Sequence, residues 1–423
     1  MTGGLIRKTS LAAIVAAAGL VIGGISSAQA ADLGGDCCAD LEERIAELEA
    51  TTARKGNRKV SLEISGQVNE LVYFWDDGFE SNVYQGTNTF SSSRFRFKGS
   101  AAITADWSAG YYIEIDFEGA IAASQTQAND DPARQPRLRH SAWYLKSSRL
   151  GTLWMGQYSH ATDDIVLYAN GGTSPATAAN LNSAPAAGFS LHSGGGIYTN
   201  IQLGDLWQFL DTDRGNIIRY DSPSIAGFVI SAAWGEDDVW DVALRYAGEF
   251  NGVKIAAGIG YYENNENGFA GSYIAGIPSD FDEIRGSISV LHEPTGLFVD
   301  FAGIHREFDV AAKGDFNYWY LRGGIYRKFV ALGKTSLYAE YSEATGALDG
   351  LVAAPFGGGV VVAGVITQSD LTSYGLGISQ NIDAAAMQLY LGWRHMEADV
   401  VDALGTIPTD DIDIVYTGAV IKF

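Results

Sequence analysis

Long hydrophobic runs are what this 423-residue chain lacks. Beyond residue 30 no segment reaches the roughly 18 uninterrupted apolar residues of a membrane-spanning helix, so a helical membrane protein is excluded. Cysteine is confined to the neighbours Cys37 and Cys38. Adjacent cysteines rarely close a ring on each other, which excludes a disulfide scaffold. Pairing between chains at a symmetry axis and two free thiols both stay open. No Leu-Ala-Gly-type motif abuts Cys37, which argues against a lipoprotein anchor. There is no basic excess: loss of Arg7 and Lys8 with the first thirty residues leaves 26 basic and 50 acidic side chains, a formal charge of −24. A nucleic-acid partner is therefore not expected. Histidine is sparse (His140, His160, His192, His292, His305, His395), with no His-Glu-x-x-His pattern and no Gly-x-Ser-x-Gly elbow. An enzyme is not expected. Asp211-Thr212-Asp213-Arg214-Gly215 starts like a calcium loop, but no Glu closes it at the twelfth position. Neither a cofactor nor a metal is expected, although an isolated stabilising ion stays open.

What is present begins with a signal peptide over residues 1–30: Arg7 and Lys8, an apolar run over 11–25 too short to span, and Ala28-Gln29-Ala30 as cleavage site. Residues 31–59 form a periplasmic N-terminal segment. Asp40 and Glu43 have capping-box spacing, and Leu41, Ile45, Leu48 and Thr52 make a heptad seam. Two heptads are too short to associate alone, so a small bundle between chains and a lone amphipathic helix are equally open. Arg54, Lys55, Arg58 and Lys59 mark a basic linker.

From residue 60 to 423 the period becomes two. Leu62, Ile64, Val68, Val72 and Phe74 share one face, against Ser61, Glu63, Ser65, Gln67 and Asn69. Phe95, Phe97, Ala101 and Ile103 alternate with Arg94, Arg96, Lys98 and Ser100. Tyr111, Ile113, Ile115 and Phe117 alternate with Tyr112, Glu114, Asp116 and Glu118. Each is a strand with one dry and one wet face. The connections separate a soluble sandwich from a membrane barrel. Long ones (76–89, 120–135, 263–280, 344–369, 397–410) alternate with short ones (146–150, 222–226, 249–252, 292–296, 330–333, 381–384). Outer-membrane barrels alternate in this way. Sixteen strands are counted. The fold class is thus all-β, a transmembrane antiparallel β-barrel of about sixteen strands, with a short N-terminal helix, wide enough for an aqueous channel. Residues 159–213, rich in Gly, Ala, Ser and Asn and without sustained period, fall third among the outer loops. An insert of that length inside a compact domain is functional or improbable. It is expected to fold into the lumen and narrow a diffusion pore. Arg94, Arg96 and Lys98 share a wet face, as do Arg137 and Arg139. Basic side chains facing lipid would cost a few kcal/mol each, so these belong to the lumen. Phe423, with Ile421, Ala419, Thr417 and Val415 two apart behind it, resembles the signal that outer-membrane barrels show to their assembly machinery.

Four stretches carry a resemblance to general bacterial porins, and to those of alphaproteobacterial outer membranes in particular. They are Asp36-Cys37-Cys38-Ala39-Asp40-Leu41-Glu42-Glu43-Arg44, Arg94-Phe95-Arg96-Phe97-Lys98-Gly99, Arg139-His140-Ser141-Ala142-Trp143-Tyr144-Leu145-Lys146, and Ile218-Arg219-Tyr220-Asp221-Ser222-Pro223 followed by Gly227-Phe228. The resemblance implies a homotrimer in outer-membrane lipid that passes small hydrophilic solutes and ions. It places Arg94, Lys98 and Arg139 at basic positions of a charged constriction, with Arg214 a looser match. The central loop lacks the family's acidic Pro-Glu-Phe-Gly-type segment, so the acidic partners stay a set of candidates: Asp163, Asp164, Asp205, Asp211 and Asp213. A substrate-specific channel, for sugars for example, is the alternative. It needs aromatic residues in file along the lumen, for which Trp143, Trp154 and Trp207 are available.

Overall fold

The computed structural model describes residues 59–117, 119–132, 136–193, 197–211, 214–235, 239–265, 280–309, 313–351 and 365–423. The expected signal peptide, the expected N-terminal helix with Cys37 and Cys38, and Asp213 lie outside these residues. In chain order the strands are β1 (Glu63–Asp76), β2 (Ser81–Thr87), β3 (Arg94–Ala102), β4 (Trp107–Asp116), β5 (Arg137–Ser147), β6 (Gly151–Ser159), β7 (Ser190–Ser193), β8 (Ile197–Gln202), β9 (Arg214–Asp221), β10 (Phe228–Gly235), β11 (Trp240–Phe250), β12 (Val253–Asn264), β13 (Phe281–His292), β14 (Leu297–Phe308), β15 (Phe316–Val330), β16 (Gly333–Thr345), β17 (Ile366–Ile382), β18 (Met387–Asp402), β19 (Gly405–Ile407) and β20 (Ile412–Lys422). A single helical turn, α1, spans Leu203–Trp207.

Strands β1 and β20 pair antiparallel from Gln67↔Lys422 to Asp76↔Asp413 and close the sheet on itself. β2 and β3 both pair with β1 and are two halves of one wall strand, β19 prolongs β18 as a short hairpin, and β7–β8 form a separate hairpin. The wall is therefore a closed sixteen-stranded antiparallel barrel. Closure leaves no open edge, which is what a sheet in hydrocarbon requires. Its outer surface is apolar: Ile64, Val68, Leu138, Ile230, Ile259, Ile288, Leu321 and Leu376 are all exposed. Trp107, Phe228, Phe250, Phe329 and Phe423 ring the end bearing the short turns, as interfacial aromatics do in outer-membrane barrels.

The stretch 76–89, expected as one long loop, is mostly wall. Only residues 77–80 turn, with Asp77 Oδ1 accepting from the Phe79 (3.1 Å) and Glu80 (2.7 Å) amides. The wall then breaks at 88–93, where Asn88 caps a 3-10 turn and the Gln67 amide donates to the Ser91 and Ser92 carbonyls, 2.9 Å each. The central loop is also more ordered than its composition suggests, since it contains β7, β8 and α1.

Inside, tyrosines lie over glycines of the neighbouring strand. Tyr390 stands opposite Gly418, and Tyr416 opposite Gly392. A Cβ on Gly392 would come 2.3 Å from Tyr416 Cζ; one on Gly418 would come 2.5 Å from both the Tyr390 hydroxyl and the Glu70 carbonyl oxygen. Rings that lie flat leave the bore to the central loop. Where that loop touches the wall, the inward face is dry: Leu71, Tyr73 and Trp75 of β1 are buried, with Trp75 edge-on to Phe189 of the loop at 4.9 Å. Gly418→Ala should displace Tyr390 and lose its hydrogen bond to Asn69 (2.8 Å). Overpacking of this kind costs about 1–3 kcal/mol, so the barrel should unfold at lower temperature and lower urea than wild type.

Candidate functional site: a charged constriction in the lumen

Three neighbouring strands build the basic wall. Alternation sends Arg94 and Arg96 of β3 and Tyr112, Glu114 and Asp116 of β4 inward. On β5 the register slips between Glu114 and Ile115, so that Glu114 faces His140 while Ile115 faces Leu138. A bulge of this kind re-aims side chains, and here it turns Arg139 and His140 together into the lumen. Glu114 is the hub. Its carboxylate accepts from Arg96 Nε at 2.5 Å, Arg139 Nε at 2.6 Å, Tyr112 OH at 2.8 Å and Arg94 Nη1 at 3.3 Å. Asp116 takes Arg137 at 3.2 Å and Arg139 at 3.5 Å. The broken wall strand helps to aim Arg94, whose Nε donates to the Ser92 carbonyl at 2.9 Å. Four guanidiniums on two carboxylates leave positive charge in excess. The Arg96 and Arg137 side chains are 31% and 52% exposed, so that excess faces water.

The opposite side of the bore is the central loop, and a second set of arginines fastens it. Arg219 Nη1 donates to the Ser159 and His160 carbonyls at 3.2 and 2.7 Å. Arg245 Nη2 donates to the Ala161 carbonyl and, at 3.1 Å, to that of Asp163. Arg322 reaches the Thr177 carbonyl (3.3 Å) and Arg394 the Thr177 hydroxyl (3.0 Å). Arg285 and Arg306 hold the Leu210 (3.3 Å) and Phe209 (2.9 Å) carbonyls. Arg219, Arg306, Arg322 and Arg394 each also contact a strand carboxylate, namely Asp221, Glu283, Asp300 and Glu340, and Arg285 shares Glu283. Buried ions persist when paired in this way. Ala161, Ile165, Leu181, Phe189, Leu206 and Trp207 pack the loop's dry side. None of these six arginines was singled out by sequence. The available signal was their recurrence on the inward faces of β9, β11, β13, β14, β15 and β18.

Between wall and loop lies a cavity of about 750 Å³, lined by Arg94, Arg96, Arg137 and Arg139 of the wall, by Asp164 and Asp211 of the loop, and by Arg214 beside those acids. Lys98 is exposed and does not line it. Asp163 is buried behind the loop surface, 3.4 Å from Arg214 and accepting from the Ser159 hydroxyl. Asp205 also lies apart from the cavity: it caps α1 from within, accepting from the Gln202 amide at 2.8 Å. Carboxylate oxygens of Asp163, Asp164 and Asp211 come within 4.8 Å of one another, the one grouping of metal-ligand type among the described residues. Arg214 already supplies positive charge there. The crowding sets their protonation. Repulsion from Asp163 raises the pKa of Asp164. Burial, then Asp163 and Asp164, raises that of Asp211 well above the carboxylate range. Burial acts against Asp163 too, yet Arg214 and Ser159 hold it below its ordinary value. Burial lifts Asp205 to about 7.

The fold and this site define an outer-membrane channel. The sequence matches the Gram-negative porin family over residues 10–400, and the chain belongs to that family. No curated protein sequence matches it. Among solved structures it is similar to the anion-selective porin from Comamonas acidovorans (16% identity, TM-score 0.54, covering 86% of this chain and 100% of that one). OprB of Pseudomonas putida (9%, 0.55, 91% and 97%) and Salmonella typhi OmpF (12%, 0.51, 87% and 99%) are further likenesses in fold. Membership of the family places the protein in the outer membrane.

Two outcomes follow from the site. Asp164 and Asp211 carry protons at low pH and release them only as pH rises through their raised pKa values, which adds negative charge to the loop side. The potassium-to-chloride permeability ratio, read from reversal potentials, should therefore rise in a step well above the ordinary carboxylate pKa of about 4. Asp211→Asn should shrink that step. Arg322→Met, which removes the donor to the Thr177 carbonyl and the cation beside Asp300, should loosen the loop and raise open-channel current noise.

Proposed function

We propose that this protein is a passive, water-filled diffusion channel for small hydrophilic solutes and ions, gated by geometry and charge rather than by chemistry. The observation that carries the reading is one cavity lined both by the wall guanidiniums of Arg94, Arg96, Arg137 and Arg139 and by Asp164 and Asp211 of the loop, with Arg214 beside the acids. Opposed charges across a narrow bore make a transverse field. Water and polar solutes reorient in it and pass, whereas an apolar solute must shed ordered water. We place Asp163 in a supporting role and leave Lys98 and Asp205 outside the eyelet. The reading is of a channel and not of an enzyme. A homotrimer accords with the apolar exterior and with the trimer form of OmpT of Vibrio cholerae, a structure of the same fold (14% identity, TM-score 0.53). The alphaproteobacterial affiliation rests on the stretch from Asp36 to Arg44. Phe423 serves as the assembly signal: its backbone exchanges hydrogen bonds with Gly66 (3.1 and 2.8 Å), so the terminal residue sits on the closing seam.

Purified protein in planar bilayers under a salt gradient tests this. Stepwise conductance is expected, in groups of three for a trimer. Arg94→Ala with Arg139→Ala should lower the chloride-to-potassium permeability ratio several-fold. An unchanged reversal potential would place the constriction elsewhere.

A further inference from the structure

The wall that bears the arginines continues toward the short turns as a file of aromatic rings. Tyr112 and His140, at the cavity, lie 5.0 Å apart by ring centroid. His140 lies 5.2 Å from Tyr158. Tyr158 stacks on Trp154 at 4.2 Å and 9°, and Trp154 lies 4.7 Å from Tyr144. All are on the inner face: the intervening Trp143, Leu153 and Met155 point outward and are exposed. Gly156, between Trp154 and Tyr158 in the strand, has φ +128°, and a Cβ there would fall 2.4 Å from the Ser141 carbonyl oxygen of the neighbouring strand. Trp154 is further fixed by its Nε1 hydrogen bond to Asp221, 3.1 Å. Tyr112, Trp154 and Tyr158 remain half-buried, so ring surface is left to the lumen. At the upper end the file meets the charges directly, because Tyr112 OH and Arg96 Nε share Glu114 Oε2.

We infer that the passage transiently binds cyclic polyols bearing one carboxylate or phosphate, that is, sugar acids and sugar phosphates. The inference rests on the channel reading above and names its favoured solutes. Guanidiniums recognise carboxylate and phosphate oxygens by paired hydrogen bonds, and the half-buried Arg96 and the exposed Arg137 offer them. The C–H faces of a sugar ring are apolar and match an aromatic surface. Charge on β3 to β5 is followed by ring surface on β4 to β6. A solute carrying both features contacts both, whereas acetate meets only the arginines and glucose only the rings.

Chloride current through the intact protein in planar bilayers tests this, with glucuronate, acetate or glucose added. Glucuronate should reduce the current saturably, at several-fold lower concentration than acetate or glucose. Trp154→Leu with Tyr158→Leu should reduce glucuronate to the level of acetate while chloride still flows, which shows the barrel intact. Trp154→Phe should restore part of the block. Arg96→Ala with Arg137→Ala should reduce glucuronate to the level of glucose and leave the response to glucose as it was. Glucuronate no stronger than acetate in the wild type, or equal block in the double aromatic variant, would overturn the inference. Absence of any current in the wild type would instead overturn the channel reading.

Discussion

A sixteen-strand bore is too wide to discriminate among small solutes, so it must be filled, and whatever fills it brings peptide groups out of bulk water. Those groups need partners, because an unpaired buried amide or carbonyl is costly. Here the partners are arginines. Arg219, Arg245, Arg285, Arg306, Arg322 and Arg394 reach inward from six strands and donate to the central loop's carbonyls or to the Thr177 hydroxyl. Carboxylates on the same wall balance most of their charge. The loop therefore faces the passage in one arrangement, and the position of every constriction residue depends on that fastening.

The basic residues consequently divide into two populations that composition cannot distinguish. Those around β9 to β18 are spent on the loop, with four wall carboxylates beside them. Those on β3 to β5 crowd two carboxylates and retain an excess that faces water. The formal charge of the whole chain is −22, yet the wall of the passage is locally positive. Global charge thus says little about which ions pass, since the field in a narrow bore is set by groups within a few ångströms.

The barrel was legible because its signals are periodic. Alternation along residues 60–74, 94–103 and 111–118, and the rhythm of long and short connections, follow from having hydrocarbon on one side and water on the other. Three features were not legible. The wall break at 88–93, small polar residues apart from Phe90, reads as loop, and the Gln67 contacts show it to be an interruption. The bulge that turns both Arg139 and His140 inward is a shift of phase that alternation cannot register. The loop's own order has no period, since residues such as Ile165, Phe189 and Trp207 are matched to the wall around them rather than to a helix or sheet. For the same reason its acids could be named but not ranked: Asp164 and Asp211 line the cavity, whereas Asp163 and Asp205 do not.

The central claim is that the loop fills the bore with one defined face toward the passage. Thiol accessibility in a Cys37→Ser, Cys38→Ser background tests it most directly. Asn182 lines the cavity, whereas Thr177 is buried against the arginines of the far wall. A bulky anionic thiol reagent should react quickly with Asn182→Cys and cut the single-channel current, while Thr177→Cys should react slowly and leave the current unchanged. Equal reaction at both positions, or modification of Asn182→Cys without loss of current, would contradict the account.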